Sequence, residues 1–249
     1  MELEGSNGHG LERSREGGLA RLELARPPRN LLDPDVMAVL RDAILEADGA
    51  AEVDAIVLTG GGDMFCGGLD IERIQAGADP VAFASALVEL LRIFPTLGKP
   101  VIAAVNGDAL ASGYSLVCAA DLAVAVDTAR IGTFEASVGI WPMIAQVPAL
   151  QRLHPRHALQ NFLTGEPFDA RRAYEIGIVN EVVGAGELWS AVERWAQLSV
   201  RAGKALAAGR RSFYRFRELS YDDALSASLE EFRGMFTTTE HTIEAGERA

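Results

Sequence analysis

The stretch "KPVIAAVNGDALASGYSLVCAADLAVAVDTARIGTFE", residues 99–135, decides the fold. It begins with an apolar run in Lys99–Gly107 that is typical of a buried parallel strand. A loop of small residues follows, then an apolar segment at 112–121 that predicts a short helix, and then a further buried strand at 122–127. The next residues, 129–135, are expected to pair with that last strand. Such alternation predicts an α/β layer of parallel strands with right-handed crossovers.

The same alternation extends toward the N-terminus. Residues Leu19–Ala25 alternate apolar and polar side chains, as a half-buried strand does. The pair Asp33-Pro34 places an N-cap acid before a proline at the first helical position, and it predicts a helix that ends near Gly49. Ala55–Thr59 fits another buried strand, and Val81–Phe94 predicts an apolar helix.

Helical patterns dominate the C-terminal part of the chain. Asp169 is predicted to cap a helix that stops at Gly177. Beyond about residue 190 the sequence is helical in pattern throughout. We therefore expect an α/β core at 1–190 and a C-terminal helical region at 191–249.

Composition excludes several classes of function. The chain has 249 residues and a net charge of −12, which disfavours binding to nucleic acid or to anionic lipid. No apolar run approaches the roughly 20 residues that span a bilayer, and the polar N-terminus lacks the pattern of a secretory signal. The two cysteines, Cys66 and Cys118, have no metal-type spacing. We therefore expect a reduced, cytoplasmic protein without a metal site.

Two loops rich in small residues follow two of the predicted strands, "GGGDMFCGGLDI" at 60–71 and "GDALASGYS" at 107–115. Ligands of open α/β sheets bind outside the carboxyl ends of the strands, and small residues there let a ligand approach the backbone. A helix that begins near Ser112 would point free N–H groups into that space. The two loops could hold an oxyanion between two N–H donors, or they could simply be tight turns. The motifs of a dinucleotide loop and of a phosphate-binding P-loop are absent.

Residues 99–142 resemble the enoyl-CoA hydratase/isomerase (crotonase) superfamily. "FCGGLDI" at 65–71 is similar to its first oxyanion loop, and "LTGEPFDARRAYEIGIVNEVV" at 163–183 is similar to a later segment of that family. The resemblance runs from about residue 15 to the C-terminus. It implies an α/β, crotonase-like repeated ββα core with a C-terminal helical region that serves in trimer assembly. It also implies a homotrimer or a dimer of trimers and an acyl-CoA thioester substrate, with CoA entering only as part of that substrate and no separate cofactor.

The resemblance also implies a site. The thioester carbonyl of the substrate would lie between the backbone N–H groups of Leu69 and Ser112, which stabilise an enolate, and Glu135 would be the catalytic acid/base. Leu69 stands where the family usually has Ala or Gly. The other residues expected to bind the substrate are Cys66, Gly67, Gly68, Asp70, Ile71, Gly113, Ser115, Trp141, Pro142 and Met143.

Two departures from the family pattern bear on the reaction. Hydratases of the family use two glutamates, and here the corresponding positions hold Ser115 and Glu135. Met143 stands where hydratases have a glycine whose amide helps to place the attacking water. Trp141 and Met143 indicate an apolar acyl pocket or, alternatively, core packing. These positions favour isomerisation of 3-enoyl-CoA to 2-enoyl-CoA by a single glutamate, and 2-enoyl-CoA hydration (a lyase reaction) is the alternative.

Other classes of function remain as more remote alternatives. Ser112 and Ser115 border the oxyanion site and raise the possibility of an acyl-CoA hydrolase, but no histidine is placed by motif to activate them. The missing second glutamate is also compatible with a non-catalytic scaffold of the same fold. Lys204, Arg210 and Arg211 are candidates for binding the CoA phosphates, the alternative being a solvated helix face.

Overall fold

The structure, a computed structural model, describes residues 10–237. Its strands in chain order are β1 (Leu11–Glu16), β2 (Leu19–Leu24), β3 (Ala55–Gly60), β4 (Met64–Cys66), β5 (Val101–Val105), β6 (Asp108–Leu110), β7 (Leu122–Val126), β8 (Arg130–Gly132), β9 (Phe168–Asp169) and β10 (Glu181–Val183). The helices are α1 (Pro34–Gly49), α2 (Ile71–Gln75), α3 (Pro80–Arg92), α4 (Ser112–Ala119), α5 (Gln146–Leu150), α6 (Pro155–Thr164), α7 (Ala170–Glu175), α8 (Leu188–Ser199), α9 (Leu206–Phe216) and α10 (Tyr221–Thr237). Short 3₁₀ turns lie at Phe94–Thr96, Glu135–Val138, Ala185–Glu187 and Gly203–Ala205.

The larger sheet has the strand order β1-β2-β3-β5-β7-β10. The first two strands form an antiparallel hairpin, and every later neighbour pairs in parallel. All residues of β3 and β5 are buried, because the apolar runs predicted from the sequence are covered by helices on the faces of the sheet. The predicted parallel α/β layer is therefore confirmed.

A second, smaller sheet has the order β4-β6-β8-β9. Its strands β4, β6 and β8 run in parallel, and β9 is antiparallel to β8. Each of the three parallel strands follows directly on a strand of the larger sheet and precedes a helical segment. The resulting β–β–helix units, β3–β4, β5–β6 and β7–β8, confirm the repeated ββα core.

The partner predicted for residues 129–135 is wrong. These residues were expected to pair with the strand at 122–127, but β8 pairs with β6 and β9 instead. The reason is that both edges of β7 are already occupied, by β5 on one side and β10 on the other. A tight turn, in which Ala129 N–H donates to the Val126 carbonyl at 3.1 Å, redirects the chain into the second sheet.

The capping residues predicted from the sequence lie where they were expected. Val36 N–H donates to the Asp33 carboxylate at 2.9 Å, and Arg172 N–H donates to the Asp169 carboxylate at 2.7 Å. The predicted boundary near residue 190 falls inside α8, whose Val192 is completely buried in the core. The division into a core and a C-terminal helical region stays a prediction.

The buried guanidinium group of Arg210 links helix α9 to the core. Arg210 donates from Nε to Asp121 at 2.9 Å, and its two terminal nitrogens donate to the carbonyls of Leu97 and Phe94, both at 2.7 Å. Only 8% of Arg210 is exposed. It therefore lies neither on a solvated helix face nor in a position to bind a CoA phosphate, because its donors are committed inside the protein.

Within residues 10–237 no helix is long and apolar enough to cross a membrane. Cys66 and Cys118 are both free and buried. The cytoplasmic location expected from the sequence stays a prediction.

Candidate active site

Three chain segments meet at the carboxyl ends of β4, β6 and β8. Cys66 at the end of β4 is in register with Ala109 of β6, and Leu110 of β6 is in register with Gly132 of β8. Because parallel strands deliver their carboxyl ends to the same edge of a sheet, the segments that follow them lie side by side. These segments are 67–70, 111–113 and 133–135, and they carry the predicted residues Leu69, Ser112 and Glu135.

Glycines allow the first two segments to touch. Gly68 has φ +100°, and a Cβ placed on it would lie 2.8 Å from the Cβ of Ala111 and 3.6 Å from the nitrogen of Ser112. A Cβ on Gly113 would collide with the carbonyl oxygen of Cys66. The space that a side chain would need at these two positions is therefore filled by the opposite loop. The contact of Gly68 with a substrate stays a prediction.

The N–H of Leu69 points away from its nearest backbone neighbour. Leu32 forms a parallel bridge with Leu69, in which Leu32 N–H donates to the Gly68 carbonyl and Asp70 N–H donates to the Leu32 carbonyl, both at 2.9 Å. In such a bridge the residue between the two bonded groups, here Leu69, directs its own N–H away from the partner strand. Within the described part of the chain the Leu69 N–H has no acceptor. Its side chain packs partly buried against the core.

The N–H of Ser112 is presented by a strained residue. Ala111 precedes α4 with φ +52° and ψ −116°, a conformation that is rare for a residue with a side chain and is concentrated at functional sites. Ala111 N–H donates to the Gly132 carbonyl at 3.0 Å, which fastens this turn to the end of β8. As the first residue of α4, Ser112 has an N–H that needs no partner within the helix, and it has no acceptor among residues 10–237.

Glu135 begins the 3₁₀ turn that follows β8, and it is half-buried. One carboxylate oxygen, Oε2, accepts the N–H of Phe134 at 2.9 Å. Burial raises the pKa of Glu135, and the backbone N–H groups of Glu135 and Phe134 offset only part of that rise. A carboxylate with a raised pKa is a stronger base than a solvated one, which suits it to removing a proton from carbon.

Two residues predicted to bind substrate lie beneath the loops instead. Ser115 has no exposed surface, and its hydroxyl faces the Ala111 carbonyl at 3.4 Å. Cys66 is also completely buried, and its sulfur accepts the Gly68 N–H at 3.5 Å. Burial raises the pKa of the Cys66 thiol to about 12, so the thiol is neutral at pH 7. Both side chains therefore support the loops from inside.

The segment after Glu135 carries Trp141, Pro142 and Met143. The Trp141 indole N–H donates to Gln146 at 3.1 Å, and its ring meets Phe162 edge-on at a centroid distance of 6.3 Å. Pro142 is buried, whereas 68% of Met143 is exposed, so Met143 is not a core residue.

A cavity of about 420 Å³ lies beside this segment, between α3, α4, α5 and α9. Its walls are mainly apolar and include Met143, Val147, Leu91 and Cys118. Leu69, Ser112 and Glu135 do not line it, because it lies at the end of α4 opposite to Ser112.

Asp70 and Ile71 begin α2, directly after Leu69. The Asp70 carboxylate accepts the N–H of Arg73 at 3.2 Å and so caps the helix, and Ile71 is largely exposed. Arg73 in turn makes an ion pair with the buried carboxylate of Asp33, which also binds Arg26 at 2.7 Å. This contact anchors the segment that follows the first loop.

Sequence reasoning missed one residue that shapes this site, Asn30. It is completely buried with φ +48°, and its side-chain amide donates to the carbonyls of Gly61 and Met64 at 2.9 and 2.6 Å. Its amide oxygen accepts the N–H of Arg26 at 3.0 Å. Asn30 lies in the loop "RPPRN", and a polar residue in a loop gives no signal in sequence that it is buried.

Comparison with known proteins places these features in a wider group. The family profile "Enoyl-CoA hydratase/isomerase" matches residues 14–248. The chain is 34% identical over 205 residues to the crotonyl-CoA hydratase of Syntrophomonas wolfei, covering 78% of this chain and 79% of that protein. It is 34% identical over 209 residues to the carnitinyl-CoA dehydratase of Salmonella enteritidis, covering 82% and 80%. Among solved structures, an enoyl-CoA hydratase of Mycobacterium smegmatis superposes with a TM-score of 0.84 at 28% identity, covering 92% of each chain.

Proposed function

Because this chain belongs to the enoyl-CoA hydratase/isomerase family, we propose that it acts on acyl-CoA thioesters and isomerises 3-enoyl-CoA to 2-enoyl-CoA with Glu135 as the single acid/base. The family itself was expected from the motifs and is confirmed. In this proposal CoA enters as part of the substrate, and no other cofactor takes part.

The burial of Ser115 is the main observation that favours isomerisation over hydration. A second acidic group at that position would face the substrate in a hydratase, but here the position holds a neutral hydroxyl without exposed surface. Met143 adds to this, because its N–H donates to the Trp141 carbonyl at 2.8 Å and is therefore not free to hold a water. Among the titratable side chains of the segments 67–70, 111–113 and 133–135, Glu135 is the one suited to proton transfer, because burial raises its pKa.

The proposed reaction moves one proton and one double bond. The Glu135 carboxylate removes a proton from C2 of the 3-enoyl thioester, and the electron pair of that C–H bond moves toward the carbonyl oxygen. The N–H groups of Leu69 and Ser112 stabilise the resulting dienolate. The protonated Glu135 then returns the proton at C4, and the double bond forms between C2 and C3. Atoms and charge balance without water.

Hydration or dehydration is the second candidate, because two relatives at 34% identity are named a hydratase and a dehydratase. Hydration adds the water oxygen at C3 and a proton at C2, so it needs a positioned water as well as an acid/base. If this chain is a hydratase, Glu135 must perform both proton transfers with a water that neither Ser115 nor the Met143 amide holds.

Product analysis separates the two candidates. Purified protein is incubated separately with trans-3-hexenoyl-CoA and trans-2-hexenoyl-CoA, and the products are identified by chromatography and mass. We expect conversion of the 3-enoyl to the 2-enoyl isomer with no gain of 18 Da on the timescale of turnover. Addition of water to the 2-enoyl substrate without any positional shift would overturn the proposal and favour the hydratase.

The more remote alternatives have separate tests. A hydrolase would release free CoA from a saturated acyl-CoA, yet His154 lies at the N-cap of α6 and His157 faces Arg172, so neither contacts Ser112 or Ser115. The other two histidines lie outside the described residues. A scaffold would bind acyl-CoA without turning over any enoyl substrate.

We assign the cavity beside Met143 to the acyl chain. Its apolar walls and its position next to the segment that follows Glu135 support this assignment. Replacing Val147 in its wall by Trp should lower kcat/KM for C10 and C12 substrates more than for C4. Equal effects on all chain lengths would place the acyl chain elsewhere.

We also propose that the protein assembles as a homotrimer or a dimer of trimers. Large apolar side chains are exposed around the 3₁₀ turn 135–138 and α5, and a surface patch of this kind is typical of an interface. Outside the walls of that cavity they are Val138, Ile140 and Leu150. Light scattering after gel filtration tests this directly, and a mass of 26.6 kDa, that of one chain, would contradict it.

A further inference from the structure

Asn161 is a polar residue in the hydrophobic interior, with no exposed surface. It lies on α6, whose other buried side chains are Ala158 and Phe162. Its amide oxygen accepts the N–H of Thr133 at 2.8 Å and the hydroxyl of Thr133 at 2.9 Å. Its amide nitrogen donates to the carbonyls of Thr133 and Glu166, both at 2.8 Å. A primary amide has two accepting and two donating positions, so all four are used.

Three of these four bonds go to Thr133, at the point where β8 ends. The described pairing of β8 with β6 and β9 stops at Gly132, and Thr133 is completely buried. A buried N–H and a buried carbonyl both require partners. The side chain of Asn161 supplies both partners. It therefore makes the hydrogen bonds that a neighbouring strand would otherwise make with Thr133.

The same helix also contacts the chain on both sides of Glu135. Gly165 ends α6 with φ +66°, and a Cβ placed on it would lie 2.6 Å from the nitrogen of Ser137 and 3.0 Å from the carbonyl oxygen of Phe134. The C-terminal half of α6 therefore holds the segment 133–137 at several successive points.

We propose that Asn161 is a positioning residue for Glu135, and this rests on the proposed role of Glu135 as acid/base. The amide of Asn161 does not touch the carboxylate and acts through Thr133. Because Phe134 N–H donates to Glu135 Oε2, the path of the backbone from Thr133 to Glu135 determines where the carboxylate lies. Misplacement of a reacting group by about 1 Å can lower a rate by on the order of 100-fold.

A purely structural role for Asn161 is the alternative, and matched variants separate the two. Asn161→Leu keeps the approximate size of the side chain and leaves Thr133 without its partners. Thr133→Val removes only the hydroxyl bond and keeps the backbone pair. Val192→Ala makes a cavity in the completely buried face of α8 and lowers stability without touching the site.

Steady-state kinetics are measured at a temperature at which all variants are folded by circular dichroism, on whichever enoyl substrate the wild type converts. For Asn161→Leu we expect kcat to fall about 10- to 100-fold with KM within about threefold. Thr133→Val should stay within about fivefold, and Val192→Ala should keep its kcat despite a lower Tm. If Asn161→Leu loses no more kcat than Val192→Ala, the proposal is overturned.

A second readout does not depend on the reaction. The carboxyl carbon of Glu135 is followed by ¹³C NMR during a pH titration of the wild type, Asn161→Leu and Val192→Ala. Loss of the Phe134 N–H bond should move the midpoint upward in Asn161→Leu alone. Failure of the wild type to convert any enoyl-CoA would overturn the proposed function but leave this test intact. Coincident titration curves in all three proteins would overturn the positioning role.

Discussion

Gly68 and Ala111 lie in direct contact, so that a Cβ at position 68 would come within 2.8 Å of the Cβ of Ala111. Both residues have positive φ angles, +100° and +52°. Each therefore adopts a backbone conformation that side chains disfavour, at the point where the two loops meet. The distance between the N–H groups of Leu69 and Ser112 therefore depends on how closely the segments 67–70 and 111–113, which are far apart in sequence, can approach each other.

Gly68→Ala should damage both stability and activity. The added methyl group meets Ala111 and strains a positive φ, which costs about 1–3 kcal/mol in free energy of unfolding. Relaxation would push the loops apart, so we expect kcat to fall on the order of 100-fold. Urea unfolding and steady-state kinetics measure the two effects. Gly49→Ala is the control, because Gly49 has no atoms within 4 Å of the added Cβ; equal behaviour of the two variants would refute the role of the contact.

We expect the activity to fall at low pH, because Glu135 must be deprotonated to act as the base. The carboxylate form is the base, and burial raises its pKa, so kcat/KM should fall as the pH decreases through a value above the usual 4.3 or so of glutamate. Glu135→Gln should remove this dependence on pH and lower kcat by about 10²- to 10⁴-fold. Glu193→Gln, on the exposed side of α8, serves as the control. An unchanged rate in Glu135→Gln would show that another group is the base.

Ser115→Ala should leave isomerisation nearly unchanged, within about threefold. Its hydroxyl is buried and makes a single long contact with the Ala111 carbonyl, so its loss removes little. Turnover and the release of free CoA are both followed by chromatography. A large loss of turnover would make Ser115 part of the catalytic machinery, and release of free CoA by the wild type that Ser115→Ala abolishes would favour the hydrolase.

Long apolar runs made the larger sheet predictable from sequence. Residues 55–59, 101–105 and 122–126 were recognisable as strands because they are apolar except for Thr59 at the end of the first run. The residue pattern alone did not show the second sheet, because β4, β6 and β8 have three residues each, too few to show a period of two. The repeated ββα core was expected from the family resemblance. The pairing of these short strands depends on which edges of the larger sheet are already occupied, and this is a property of the whole fold.

The loops of the candidate site were predictable from the sequence, the directions of their side chains were less so, and the roles of Leu69, Ser112 and Glu135 stay predictions. Small residues and a helix start marked the two loops, and the family motif marked Leu69, Ser112 and Glu135. Whether a side chain near a loop faces inward depends on the local turn, so the complete burial of Cys66 and Ser115 could not be predicted from the sequence.

The buried carboxylate of Asp33 should make stability depend on pH in the acid range. Burial acts to raise its pKa, but the Val36 N–H and the guanidinium groups of Arg26 and Arg73 hold it below its ordinary value. A carboxyl group whose pKa is lower in the folded state stabilises the fold at pH values above its unfolded-state pKa of about 3.9. This contribution is lost as the pH falls through the folded-state pKa. Asp33→Asn should therefore be less stable than wild type at pH 7, and the difference should be smaller at pH 3, below the unfolded-state pKa.

Urea unfolding at both pH values measures this difference. Asp35→Asn is the control, since Asp35 lies exposed in the first turn of the same helix. A difference between wild type and Asp33→Asn that does not shrink at low pH would contradict the proposed ion pairs.

Arg210 and Arg211 are adjacent in sequence but occupy opposite environments. Successive residues of a helix point about 100° apart, so only one of the two can face the core. Arg210 is buried against Asp121 and two carbonyl oxygens, whereas Arg211 is exposed and makes one hydrogen bond to the Thr96 carbonyl at 3.2 Å. The pattern "GRRSF" alone does not say which arginine is inside.

Arg210→Leu should therefore destabilise the protein far more than Arg211→Leu. Removing one partner of a buried ion pair leaves Asp121 without its counter-ion and costs about 3–5 kcal/mol, whereas exposed substitutions change stability by about 0.5 kcal/mol or less. Thermal and urea unfolding of both variants measure the difference. Because Arg210 fastens α9 to the ends of α3 and α4, we also expect α9 to become sensitive to proteolysis in Arg210→Leu at temperatures at which the core is still folded. Equal stability of the two variants would mean that contacts other than those of Arg210 hold α9 against the core.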